Sequence, residues 1–351
     1  MNGINIHIHQ KAIMRKRRKY NRIHKQIRYS RFSKKKSNSK RLRSRDSSLY
    51  QNSLPVIPFT APAEFNMTSH PEHVIDYINH VNQIVKEKAN RCRVFFDMHN
   101  IVSTDNGAIG MLLGLINSLS RKHVHSFGNS PRTEEASSIF LNSGFFEHVK
   151  LLQGKKSKSI DSFIIQNGSY KTNSAAIGRE IRNISEFLTG QKKSYQPLYS
   201  LIGEMISNSI EHANLHKKDK NWFLSVHYDS NRVVVMVSDI GKGIMATLKK
   251  KFSQKLKDTL TNTSDVKTLH NLFCGKYQSS TFEPNRNKGL PLIKESYDNN
   301  FISNLVVITN NVLLDFNNQT SRELNSNFLG TFYSWEVTNN NIETWKKRNK
   351  H

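Results

Sequence analysis

Two stretches constrain this chain more than any others: LYSLIGEMISNSIEHAN at 198–214 and RVVVMVSDIGKGI at 232–244. In the first, Leu201, Ile202, Met205, Ile206 and Ile210 recur at helical spacing, which predicts a largely buried helix. Glu204, Asn208 and the pair Glu211/His212 fall at i, i+4 and i+7/i+8, along one stripe of that helix. Polar groups carried into an apolar helix need partners, because burying them bare is costly, and a bound ligand is one candidate. The second stretch is an apolar strand running into Asp239-Ile240-Gly241-Lys242-Gly243. A carboxylate at a strand end, followed by two glycines, lets backbone approach a ligand closely.

At 351 residues the chain has room for about two domains and an appendage, at roughly 100–200 residues per domain. Cys92 and Cys274 alone make neither a disulfide framework nor a zinc site, which fits a reducing compartment. No apolar run approaches the ~18 residues of a membrane span, and the first residues, MNGINIHIHQ, lack a secretory pattern. A cytoplasmic protein without a transmembrane segment is expected. The net charge of +26 is concentrated: residues 11–45 hold 17 Lys/Arg and no acidic residue, which leaves the rest at +9. So many like charges and so few large apolar residues predict a low-complexity basic arm over 1–53. Such an arm fits a polyanion, nucleic acid or a ribosome first and an anionic membrane surface less well, because each lysine or arginine laid on a phosphate releases counterions. An indifferent solvated tail is the plainer alternative.

Along the chain, residues 54–70 read as an extended lead-in with prolines, followed by a helix with Val74, Ile75, Ile78, Val81 and Val85 on one face. A buried strand, CRVFFDMHNI, precedes a buried helix, NGAIGMLLGLINSLSRK, capped by Asp105 or Asn106. A short strand, HVHSFGNS, and a helix ending near Gly144 complete a small α/β domain over 54–154. Residues 155–175 are polar apart from SFIIQN and read as a linker. A further helix, NSAAIGREIRNISEFLTG, leads into the Glu204/Asn208 helix, and two strands follow, joined by a tight Asp229-Ser230-Asn231 turn. Residues 249–288 read as a long polar loop, of the kind that often serves as a lid. The helix GLPLIKESYDN and two apolar strands, LVVITNNVLLDF and GTFYSWEV, close a second domain over 176–340, with 341–351 as a basic tail. The fold class is α/β (α+β).

Three motifs in this order carry a resemblance. Glu204, Asn208 and His212 match E-x-x-x-N-x-x-x-H, Asp239, Gly241 and Gly243 match D-x-G-x-G, and Arg286 to Ile293 resembles a closing Gly-rich box ending in Gly289-Leu290. Residues 175–340 thus resemble the GHKL superfamily of ATP-binding domains, which includes histidine kinases and anti-sigma-factor serine kinases. The resemblance implies a two-layer α/β sandwich that binds ATP and Mg²⁺. Asn208 would give Mg²⁺ an oxygen ligand, and Glu204 would orient or deprotonate the group attacking the γ-phosphate. Asp239 would accept a hydrogen bond from the adenine amino group, and Gly241 and Gly243 would let base and ribose lie against backbone. Gly289, Leu290 and the helix N-terminus would meet the phosphates, with Lys288 and Arg286 adding charge. His212 would lie in the nucleotide helix without being a phospho-acceptor. Asn287 stands where the family commonly has the first glycine of its last box, which bears on turnover more than on binding.

Residues 60–152 resemble, more faintly, a STAS domain, through VFFDMHNIVSTDNGAIGMLLGLINSL and FLNSGFFEHVK. Aligned on Gly107, the family's phospho-acceptor serine is replaced by Asp105, with Ser103 and Thr104 just upstream. A built-in carboxylate there would mimic a phosphate, while helix capping is the plainer role for Asp105. The pairing implies a regulator that hydrolyses ATP or phosphorylates a Ser/Thr on a protein partner. The alternatives are an ATP-dependent binding switch without useful turnover, and a nucleic-acid or ribosome-binding protein acting through the arm. No G-x-x-x-x-G-K-[ST] or G-x-S-x-G occurs.

Overall fold

The computed structural model describes residues 53–149, 162–167, 174–212, 221–251, 263–276, 289–318 and 320–349. The basic arm therefore lies outside the described residues, as do Arg286, Asn287, Lys288 and most of the expected lid. Residues 56–351 form one compact unit.

The first part of that unit is a three-stranded parallel sheet, ordered β1 (Val56–Thr60), β3 (Arg93–Asp97), β5 (His125–Gly128). A small parallel pair joins β2 (Glu64–Phe65) to β4 (Ser103–Thr104). Helix α1 (Pro71–Glu87) returns the chain from β1 to β3, and α2 (Asn106–Arg121) from β3 to β5. Helices α3 (Glu134–Asn142) and α4 (Phe145–His148) follow, separated by Gly144 at φ 77°. Proline at its first position starts α1, and Val74, Ile75, Val81 and Val85 bury one face of it.

The second part is a five-stranded antiparallel sheet, ordered β6 (Ser162–Asn167), β7 (Asn221–Tyr228), β8 (Arg232–Ile240), β10 (Arg322–Thr338), β9 (Ser303–Asp315). Around it lie α5 (Ser174–Thr189), α6 (Gln196–His212), α7 (Ile244–Lys251), α8 (Asp265–Phe273), α9 (Gly289–Asp298) and α10 (Asn339–Arg348). Alternate residues of β8 and β10 serve two apolar clusters. Val233, Val235, Val237, Tyr333, Trp335 and Val337 face the cluster that holds α5, α6, α8 and α9. Met236, Phe332 and, from β7, Phe223 face the cluster that holds α1 and α2. Both faces are buried, so the strand RVVVMVS is apolar without alternation.

Helix α2 is the physical link between the two parts. It packs β5 on one side and β7 and β8 on the other, so eleven of its sixteen residues are buried. A helix that is apolar all round belongs between two layers. Glycines permit the approach: a Cβ at Gly107 would lie 2.7 Å from the Phe332 ring, and one at Gly114 would lie 2.7 Å from Ile240 Cδ1.

Four expectations change. The lead-in over 54–70 contains β1 and β2, because parallel pairing with β3 and β4 satisfies backbone that composition alone marks as loop. The expected linker over 155–175 contains β6, which pairs with β7 along six residues as the edge of the larger sheet. The lid stretch 249–288 includes α8, capped by Ser264 Oγ accepting from Lys267 N and anchored by buried Leu269 and Phe273. The basic C-terminal tail is mostly α10: Thr338 and Asn341 form a reciprocal cap, Ile342 is buried, and Trp345 meets Tyr195 edge-on at 5.5 Å.

Candidate functional site

Leu198, Leu201, Ile202, Met205 and Ile206 bury one side of α6 against the large sheet and fix the helix in rotation. That leaves Glu204 and Asn208, one turn apart, half-buried on another face. Gly289, the first residue of α9, sits against them. A Cβ built there would lie 2.8 Å from Glu204 Oε2 and 3.1 Å from Asn208 Nδ2. A carboxylate, a carboxamide and a helix N-terminus thus converge, so closely that a side chain at 289 would collide with the first two.

Asp239 ends β8 and is 7% exposed. Ser209, next to Asn208 on α6, places its hydroxyl 2.9 Å from both Asp239 Oδ2 and the Met205 carbonyl. Thr331, opposite Asp239 in register on β10, donates to its carboxylate from backbone N–H and side chain. Burial pushes the Asp239 pKa from 3.8 up to about 6, against the pull of those hydrogen bonds. Sequence reasoning misses Ser209 and Thr331 as partners of Asp239. Their signal in sequence is only adjacency, Ser209 to Asn208 and Thr331 within GTFYSWEV.

The turn after Asp239 is held by β9. Gly243, at φ 77°, packs directly on the Asn310 side chain, and a Cβ there would collide with the carboxamide. Asn310, itself at φ 52°, accepts from Met245 N (3.1 Å) and Ala246 N (3.3 Å) and donates to the Lys242 carbonyl (2.9 Å). Thr309 Oγ1 accepts from Ile244 N and donates to the Gly330 carbonyl. Side chains of β9 thereby cap α7 and satisfy its orphan N–H groups. The freedom of Gly243 is therefore used to admit Asn310, and Gly241, half-buried, remains the glycine beside Asp239.

The other expected positions divide. Leu290 packs into the apolar cluster beneath α9, a core role. The backbone of His212 ends α6, its side chain lies outside the described set, and so does Lys288 altogether. Asp105 caps α2, accepting from Ala108 N at 2.7 Å, from Met67 N at 3.1 Å, and from the N–H and hydroxyl of Thr68 at 2.9 Å. Four donors occupy its lone pairs, as its plainer role requires. Ser103 is half-buried in β4, opposite Glu64.

Among the described residues no cluster of three His, Cys, Asp or Glu side chains could hold a metal, and no helix is long and apolar enough to cross a membrane. No family model matches the chain, and no curated protein does either.

Proposed function

We propose that this chain binds Mg-ATP in a GHKL-type site on the large sheet, with the smaller parallel sheet and its helices as a STAS-like module beside it. The observation that carries the reading is the meeting of Glu204, Asn208 and Gly289, a cradle that a single Cβ would fill. The residues fit the ligand. Asp239 is a buried acceptor at a strand end, tied through Ser209 to the helix that bears Asn208, and suits an adenine amino group. The N-terminus of α9 offers N–H groups that have no partner within the helix, and its dipole, to phosphates. Asn208 would supply Mg²⁺ with one oxygen, the single protein ligand such an ion commonly takes beside phosphates and water, and the ion would neutralise phosphate charge. Glu204, one turn before Asn208, would hold a water or hydroxyl by its carboxylate and accept the proton.

Hydrolysis or transfer to a Ser/Thr of a protein partner is the activity proposed, and nucleotide-driven docking of that partner is the alternative. The 17 basic residues of 11–45 support a separate polyanion contact, nucleic acid or ribosome, with steep salt dependence. Titration calorimetry of the full chain with MgATP tests the reading: the parent binds, Asp239→Ala abolishes binding, and Asn208→Ala weakens it in Mg²⁺. Glu204→Ala then retains binding and loses turnover. Absence of MgATP binding by the folded parent would overturn the enzyme and the switch together.

A further inference from the structure

A cavity of about 550 Å³ lies between α1, α2, the end of β8 and the middle of β10, and none of Glu204, Asn208 and Asp239 lines it. Its volume falls within the roughly 300–1,000 Å³ of small-molecule sites. Its lining is polarised. Ile78 of α1, with Ile240 and Leu329 of the sheet, gives the accessible apolar surface, over a floor of the buried Ile75, Met111, Leu115 and Phe328. Further along each helix, on the same stripe, the lining becomes Asn82 and Lys86 on α1, then Ser118 and Lys122 at the end of α2.

The topology brings the two cationic ends together. Strands β1, β3 and β5 are parallel, and α1 and α2 each return the chain between neighbours, so both helices run the same way. Lys86 in the last turn of α1 and Lys122 at the C-cap of α2 therefore stand at one mouth of the cavity, and both are solvent-exposed. Neither ammonium has an ion pair or hydrogen bond among the described residues, and no carboxylate lines the cavity. Adding charge to complement a helix end explains each lysine singly. It does not explain the accessible apolar surface of Ile78, Ile240 and Leu329 in the same cavity.

We propose that this cavity binds a single-chain anionic amphiphile, its alkyl chain against Ile78, Ile240 and Leu329 and its carboxylate or phosphate head between Lys86 and Lys122. Apolar burial holds the tail, and two cations at one mouth select the sign of the head. The inference does not rest on the nucleotide reading.

The probe is sodium decanoate, below its micellar concentration, titrated into the full chain by calorimetry beside decyltrimethylammonium, which has the same tail and the opposite charge. Saturable one-to-one binding of decanoate is expected, at least tenfold tighter than the cation. The double variant Lys86→Glu/Lys122→Glu, at exposed positions that leave the fold intact, reverses that preference. Ile78→Asn puts a polar group on the accessible apolar surface of the cavity and weakens binding of both. Equal affinity for both heads, decanoate binding unchanged by the lysine pair, or many weak sites per chain would each overturn the proposal. A further arm uses phosphatidylglycerol vesicles: capture by vesicles without one-to-one decanoate binding would assign the lysines to a bilayer surface and overturn it as well.

Discussion

Replacing Asp239 by asparagine should stabilise this protein while destroying the site we propose. Its carboxyl is buried and titrates near 6 instead of 3.8. The folded state therefore holds the proton more tightly than the unfolded chain, and the group costs stability once ionised. At ~1.36 kcal/mol per pH unit that gap amounts to about 3 kcal/mol, fully present above pH 6 and absent below the unfolded value near 3.8. The carboxamide that replaces it would carry no charge and could keep the contacts. Its oxygen would accept from Thr331, and its amide would donate to Ser209 Oγ, whose own proton goes to the Met205 carbonyl. Urea unfolding at pH 7.5 and pH 5 reads both parts. Asp239→Asn should exceed the parent by up to about 3 kcal/mol at pH 7.5. Because the parent regains about half of that linkage energy on moving to pH 5, the advantage should shrink to about half there. A variant less stable than the parent at pH 7.5, or an advantage independent of pH, would refute the account of Asp239.

Two glycines of α2 make a matched pair. A methyl at Gly107 runs into the Phe332 ring and should cost about 1–3 kcal/mol by overpacking, whereas Gly110 has nothing within 4 Å, so Gly110→Ala should gain up to ~1 kcal/mol of helix propensity in chemical denaturation. If both behave alike, α2 does not lie against the large sheet as described. Tyr228→Phe removes the hydroxyl that donates at 2.5 Å to the buried Glu180 and should lower stability by roughly 1.5–3 kcal/mol in the same assay. Gly289→Ala pushes a methyl against the ends of two side chains that can swing away, so its melting temperature should stay near the parent's while calorimetric MgATP binding disappears. Retained binding would remove the cradle from the argument.

What the sequence disclosed follows from where its signal is strong. The helices α1, α2 and α6 and the hairpin of β7 and β8 are written in periodicity and turn chemistry, which are local. The triad of Glu204, Asn208 and Gly289 was legible in part, since helical spacing aligned the first two and nothing local brought α9 to them. The edge strand β6 was hidden because what incorporates it is backbone pairing, to which its polar flanks are blind. The cap of α7 was hidden for a different reason: Thr309 and Asn310 act across 65 residues, and a left-handed Asn in a strand is not announced by its neighbours. The unalternating RVVVMVS did carry one non-local message, that both faces of β8 are covered.

The strand that lies under α1 is made long after it. Glu72 pairs with Arg322, Asp76 accepts from Ser326, and Asn79 donates to the Asn327 carbonyl, partners about 250 residues apart in the chain. At about 5–20 residues per second of synthesis, α1 leaves the ribosome roughly 12–50 s before β10 exists to receive it. Through that interval the newborn protein carries an uncovered apolar surface whose lifetime is set by translation, and no gain in its own folding rate can shorten it.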